Sequence, residues 1–157
     1  MSLVHDSAIG PLALEASPDG LTSCRFGAAG DGPSGDTAVL DLARREIDAY
    51  LTGDLRTFTV PVDLSGLPAA DRGVLAALAA VGHGETTTYG ALATAAGLEV
   101  RDARRVGGVL ARNPVWLVVP CHRVVAADGA LTGYAGGLPV KRWLLDLEAR
   151  DRTPALF

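Results

Sequence analysis

The residue types best suited to chemistry lie together in one short stretch, Val118-Val119-Pro120-Cys121-His122-Arg123-Val124-Val125. A cysteine followed by histidine and arginine, among apolar residues, is an unusual thing to bury. Cationic neighbours favour a thiolate and lower its pKa, and a thiolate with a base at hand is a strong nucleophile. An inert cysteine in a buried strand would look the same, so spacing alone leaves both roles open. Cys24 is the chain's other cysteine. Two such scattered positions do not read as a disulfide framework, and in a reducing cytosol both are free thiols.

Ahead of that stretch, Arg101 to Arg112 reads as a helix with two distinct faces. Val106, Val109 and Leu110 share the face expected in the core. Arg104, Gly107, Gly108 and Ala111 share another at i, i+3, i+4, i+7. Two glycines inside a helix each cost about 1 kcal/mol against alanine, so something should offset them. Tight packing against another helix would do so, and so would close approach to the groove of a duplex; the pattern allows either.

These segments sit on a chain of 157 residues, 48% hydrophobic and 20% charged. That is enough apolar surface for one domain or two small ones, and it excludes a wholly disordered chain. No apolar run approaches the roughly 18 residues needed to span a bilayer, and the first ten residues do not form a secretory signal. The expectation is a soluble, cytoplasmic protein with no membrane partner. Net charge is −4, which argues against nucleic acid until its distribution is read. Residues 1–65 carry four Arg against ten Asp and Glu, a balance of −6, whereas residues 66–157 carry ten basic and eight acidic residues, a balance of +2. Between Arg101 and Arg123 there are five Arg and one Asp. A local basic patch is what phosphates respond to. Every basic residue except Lys141 is Arg.

The elements that must hold these residues fall into two parts. Ile9 to Ala16 and Leu21 to Phe26 read as strands, and residues 27–36 as an exposed Gly/Pro/Asp loop. Thr37 to Leu51 is a helix by its period, capped by Asp36 or Thr37 and stopped by Gly53. Thr57 to Leu64 alternates Phe58, Val60, Val62, Leu64 and predicts a half-buried strand. Ser65-Gly66-Leu67-Pro68 marks a boundary, giving domains at 1–66 and 67–157. Beyond it come short helices: Asp71 to Val81, Tyr89 to Ala96 capped near Thr88, Arg101 to Arg112, and Pro139 to Arg150. The short turn Leu98-Glu99-Val100 has the spacing of a helix-turn-helix. No fixed-period repeat is present.

Pro120-Cys121-His122-Arg123, preceded by Asn113-Pro114, resembles the signature of the O6-alkylguanine-DNA alkyltransferases, also called methylated-DNA–protein-cysteine methyltransferases. The resemblance extends to Gly84-Glu85-Thr86 with Thr88-Tyr89-Gly90, to Arg104-Arg105-Val106-Gly107-Gly108, to Thr132-Gly133-Tyr134-Ala135-Gly136-Gly137-Leu138 and to Lys141-Arg142-Trp143-Leu144-Leu145-Asp146-Leu147-Glu148. Asp6-Ser7-Ala8-Ile9-Gly10-Pro11-Leu12 and Ala49-Tyr50-Leu51-Thr52-Gly53 carry it through the first part. It implies an α+β protein, with a small RNase H-like sheet-plus-helix domain followed by a mostly helical winged helix-turn-helix domain.

The resemblance implies direct repair of O6-alkylguanine in double-stranded DNA, by transfer of the alkyl group to Cys121 in a single turnover. His122, through a water, would take the thiol proton, and Glu148 would orient and stabilise His122. Tyr89 would donate to the guanine ring as negative charge develops there. The backbone N–H of Ala135 would bind O6, Tyr134 and Val124 would help form the pocket, and Asn113 would hold the turn that places Cys121. Arg104 would fill the gap left by the flipped base. Arg105, Gly107, Gly108, Ala111, Arg112 and Arg123 complete the expected DNA-binding set. No cofactor or metal is implied, and the protein would act as a monomer.

Four positions depart from the family pattern. Ala70 and Leu75 replace Phe and Trp, and His83 replaces Tyr; these read as core or surface changes that leave the chemistry alone. Trp116 stands five residues before Cys121, where a small residue or Pro usually lines the alkyl pocket. It is expected to favour methyl over benzyl adducts. His5, Cys24 and His83 are too scattered for a structural zinc. A non-catalytic lesion sensor of the alkyltransferase-like kind is the rival reading, although such proteins replace the cysteine. A cysteine hydrolase would need an oxyanion hole and a leaving-group acid, and neither is evident.

Overall fold

A computed structural model describes residues 3–27, 35–134 and 136–152. Ala135 and most of the expected loop at 27–36 lie outside the described residues. The chain divides into two compact units: residues 1–67 with 114–118, and residues 68–113 with 119–157. The segment Pro114–Val118 therefore belongs with the first unit although it lies late in sequence.

The first unit is an antiparallel sheet of β1 (Leu3–Ser7), β2 (Gly10–Ser17) and β3 (Gly20–Phe26), in that order, with α1 (Thr37–Leu51). β1 escapes the sequence reading because Val4, His5 and Asp6 give it little apolar alternation; its pairing with β2, Val4 opposite Ala13 and Asp6 opposite Pro11, makes it a strand. Asp36 caps α1, its Oδ1 accepting from Val39 N at 3.0 Å. The helix buries Leu40, Ala43, Ile47 and Tyr50, and the core adds Leu12, Leu14, Leu21 and Cys24.

The predicted strand Thr57 to Leu64 is not one. Only an isolated bridge, Val62 with Leu21, forms there. The reason is local. Glu46, buried on α1, accepts from Thr59 N at 2.9 Å, Val60 N at 2.7 Å and the Thr59 hydroxyl at 2.7 Å. Those amides are already committed, and Pro61 has none to give. The alternation still serves to bury Val60.

The second unit packs α2 (Ala69–Ala79), α3 (Tyr89–Ala95) and α4 (Ala103–Ala111) around Val74, Leu78, Leu92, Ala93, Val106 and Val109. α2 begins directly after Pro68, two residues ahead of the expected start. Leu75 is buried in place of the family's aromatic, and Ala70 is exposed. Residues Val100–Asp102 form a 3-10 turn rather than the first turn of α4, because Asp102 Oδ2 accepts from Glu99 N at 2.9 Å and closes a capping box. β4 (Thr87–Thr88) pairs in parallel with β5 (Val124–Val125). α5 (Leu138–Arg152) turns Lys141, Leu144, Leu147 and Glu148 inward, the i, i+3, i+6, i+7 pattern of one helix face.

Candidate active site

Pro120 sets up Cys121. With φ −83° and ψ 66°, it centres an inverse γ-turn closed by Cys121 N donating to Val119 O at 2.8 Å. Asn113 Nδ2 donates to the same Val119 carbonyl at 3.1 Å and so ties the end of α4 to this turn. Cys121–Arg123 then form a 3-10 turn, which leaves Cys121 partly exposed and His122 and Arg123 buried.

Glu148 is the hub behind Cys121. It is 1% exposed. Its Oε2 lies 2.8 Å from His122 Nε2 and 2.9 Å from Arg123 Nη2, and its Oε1 accepts from Arg123 Nε at 2.9 Å. Gly84 N donates to Oε1 at 3.3 Å, and Val81 O accepts from Arg123 Nη1 at 2.7 Å. The turn between α2 and β4 thus closes over the ion pair. His83, read from the sequence as a core or surface change, stands in that turn with Nδ1 4.0 Å from Glu148 Oε2.

Burial pushes the His122 imidazole down from its ordinary 6.5; the Glu148 hydrogen bond and charge lift it, and Arg123 and Lys141 oppose them. The group is therefore a neutral base near pH 7. A neutral ring that donates from Nε2 to Glu148 carries its lone pair on Nδ1. Burial likewise pushes the Cys121 thiol above its ordinary 9.0, against hydrogen bonding by Asn113, the charge of Lys141 and the amides of Cys121 and His122. This corrects the expectation of a thiolate made by cationic neighbours: Arg123 is turned to Glu148, and desolvation wins. The cysteine rests as a thiol and needs a base.

Lys141 is a buried residue of the site region that the sequence reading did not place among the site residues. Its ammonium is buried and donates to Val124 O at 2.6 Å and Thr132 O at 2.7 Å. A faint signal existed: it is the single Lys in a chain that otherwise uses Arg. A compact three-donor head suits two carbonyls better than a planar fork does. Tyr89, at the start of α3, has its hydroxyl 2.7 Å from Thr132 Oγ1. Val124 is fully buried and Tyr134 partly so.

The expected DNA-binding set divides. Arg104, Arg105 and Ala111 are exposed on α4. Arg112 is exposed too, but its Nε and Nη2 grip Asp71 of α2 at 3.0 and 3.2 Å. Arg123 is buried on Glu148 and is not presented to a phosphate. Gly107 and Gly108 are not explained by internal packing. A Cβ at Gly107 would meet only the Tyr89 ring, at 3.8 Å, and one at Gly108 only Arg112 Nη1, at 3.4 Å. Trp116 lies in the first unit, its ring centroid 5.0 Å from that of Phe26. Among the described residues, no cluster of His, Cys, Asp and Glu could hold a metal ion, and no helix is long and apolar enough to cross a membrane.

The chain is similar in sequence and fold to known proteins. Residues 69–150 match the 6-O-methylguanine DNA methyltransferase DNA binding domain, and residues 3–64 match the ribonuclease-like domain of the same family. The methylated-DNA–protein-cysteine methyltransferase of Mycobacterium bovis is 41% identical over 155 residues, 96% of this chain and 92% of that protein. A Thermus thermophilus relative named DNA base-flipping protein is 37% identical over 89% of this chain and 94% of its own length. The crystal structure of Mycobacterium tuberculosis OGT in complex with DNA has a TM-score of 0.86 at 37% identity, covering 94% of this chain and 92% of that one. With both parts matched and the alignments running nearly end to end, the chain belongs to the 6-O-methylguanine DNA methyltransferase family.

Proposed function

We propose that this protein repairs O6-alkylated guanine in double-stranded DNA by moving the alkyl group, chiefly methyl, onto Cys121 once and irreversibly. The observation that carries the reading is a partly exposed cysteine backed by a buried His122–Glu148–Arg123 array. His122 takes the thiol proton, and Glu148 stabilises the imidazolium that results. The sulfur attacks the alkyl carbon, an S–C bond forms, the C–O6 bond breaks, and its electron pair returns to the guanine. Tyr89 donates to the ring as that charge arrives. The thioether has no good leaving group, so the protein acts once.

A base inside a duplex must first be extruded, at a cost of a few kcal/mol. α4 supplies the compensation: Arg104 fills the vacated stack, and the smooth face of Gly107, Gly108 and Ala111 lies close against the groove. Arg105 and the free edge of Arg112 contact phosphates. Arg123 drops out of this set. All the reacting groups come from one chain, so a monomer suffices, and its free thiols suit the reducing cytoplasm.

The test is intact mass after incubation with a duplex containing one O6-methylguanine, followed by peptide mapping. One added methyl group on Cys121, absent in Cys121→Ser, is the expected result. No gain, with the lesion duplex still preferred over an unmodified one, would make the protein a lesion sensor instead.

A further inference from the structure

A cleft of about 570 Å³ opens in the second unit beside Tyr89, lined also by Thr88, Thr94, Val100, Ala126 and Thr132. Its walls are mostly apolar, so its few hydroxyls matter. Thr88 Oγ1 accepts from Ala91 N at 3.1 Å in capping α3 and keeps its own proton, and the Thr94 hydroxyl donates to Gly90 O at 3.2 Å. The remaining pair is Tyr89 with Thr132, 2.7 Å apart.

Each hydroxyl has one proton and two lone pairs. Their mutual bond uses one proton and leaves one for whatever enters the cleft. Either hydroxyl could be the donor in that bond, and the neighbours fix only where the two side chains stand. Thr132 is held from behind, since its carbonyl accepts from the buried Lys141 at 2.7 Å, and Lys141 is fixed in turn by Val124 O at 2.6 Å.

We propose that Thr132 is a positioning residue for Tyr89: its hydroxyl donates to the phenol oxygen, so the phenol proton is directed at the guanine ring. A hydrogen bond received by the phenol also makes it a stronger donor. The inference rests on the alkyl-transfer reading above and assigns a new part of that same site. In this arrangement Lys141, Thr132 and Tyr89 form a relay of position, from the floor of the domain to the substrate.

The experiment is single-turnover transfer from an O6-methylguanine duplex, followed by mass, for wild type, Thr132→Val, Thr132→Ser, Tyr89→Phe and the Thr132→Val/Tyr89→Phe double variant. Duplex affinity is measured in parallel on the same set in a Cys121→Ser background. Loss of one hydrogen bond felt in the transition state should slow Thr132→Val about tenfold with little change in affinity. Thr132→Ser should transfer at the wild-type rate, and Thr132→Val should add nothing once Tyr89 is Phe. If Thr132→Val melts early, Thr132→Ala takes its place in the cycle. A Thr132→Val protein as fast as wild type, or one whose defect multiplies with that of Tyr89→Phe, would overturn the assignment. A wild-type protein that gains no methyl group would instead overturn the underlying reading, and this proposal with it.

Discussion

Two glutamates are buried among the described residues, one in each unit, and both sit on helices of 15 residues. Glu46 on α1 and Glu148 on α5 each accept several hydrogen bonds. Their donors differ. Glu46 takes two backbone amides and a threonine hydroxyl, groups that do not ionise near neutral pH. Glu148 takes an imidazole, a guanidinium and a backbone amide. The first carboxylate fastens a segment of chain. The second balances a fixed positive charge while standing against a base that can gain one. What a buried carboxylate does is set by its donors, and burial alone does not distinguish the two.

Glu148→Gln should have the largest effect. It keeps the shape but leaves the buried Arg123 without its counter-charge, and breaking one side of a buried pair costs about 3–5 kcal/mol. It also removes the group that stabilises protonated His122. The expected outcome in urea denaturation and in the mass assay is a large drop in stability together with loss of transfer. A variant that unfolds at the wild-type urea concentration and still transfers would erase the contrast with Glu46.

His122 offers the next test. Loss of a general base typically costs about 10²–10⁴ in rate, so His122→Gln should transfer slowly at pH 7. Because burial holds the Cys121 thiol above 9.0, residual transfer in that variant should keep rising with pH past that value as thiolate forms unaided. In wild type the depressed imidazole stays neutral below 6.5, so transfer should persist there and fail only at lower pH. Stability carries the same sign. Between the folded and unfolded His122 values the unfolded chain binds the extra proton, so stability is level above about 6.5 and declines as pH falls below it. A rate profile in which wild type and His122→Gln rise together across this range would remove His122 from the chemistry.

Glu46→Gln is the matching change in the first unit. An amide retains one acceptor oxygen but presents an NH2 group to donors that need acceptors. The cost should be about 1–3 kcal/mol in urea denaturation. Once corrected for the folded fraction, the transfer rate should match wild type. A slowed rate at full folding would mean that the first unit's carboxylate reaches the chemistry after all.

The same contrast explains how far the sequence could be read. α1 and α5 were legible because apolar period and caps are local properties. Cys121 and His122 stood out as candidates because their types are rare in apolar company, but their roles came from the family resemblance and not from spacing. Thr57 to Leu64 was misread because the amides of Thr59 and Val60 are taken by Glu46, a residue on another element. Arg123 was misassigned for a related reason: spacing shows that a charge is near Cys121 but not that it faces Glu148. A lysine on a helix ordinarily reads as solvated, so Lys141 gave little warning that its ammonium closes the carbonyls of Val124 and Thr132. Residue types reveal chemistry; donor–acceptor accounts across the fold do not show in one dimension.

Gly107→Ala is the smallest change and separates folding from function most cleanly. At Glu148 the two move together, since one substitution should harm both. At Gly107 they should move apart. A Cβ there would make ordinary contact with the Tyr89 ring at 3.8 Å and meet nothing else. The fold therefore has room for alanine, and replacing a helical glycine should add about 1 kcal/mol of stability. If the Arg104–Gly107–Gly108–Ala111 face lies against DNA, the added methyl should hold the backbone away from the duplex and weaken binding. Thermal denaturation and duplex affinity, measured on one preparation, should shift in opposite directions. A protein that is both more stable and equally tight on DNA would show that the glycine serves neither purpose, and the case for α4 as the groove-facing helix would then rest on Arg104 alone.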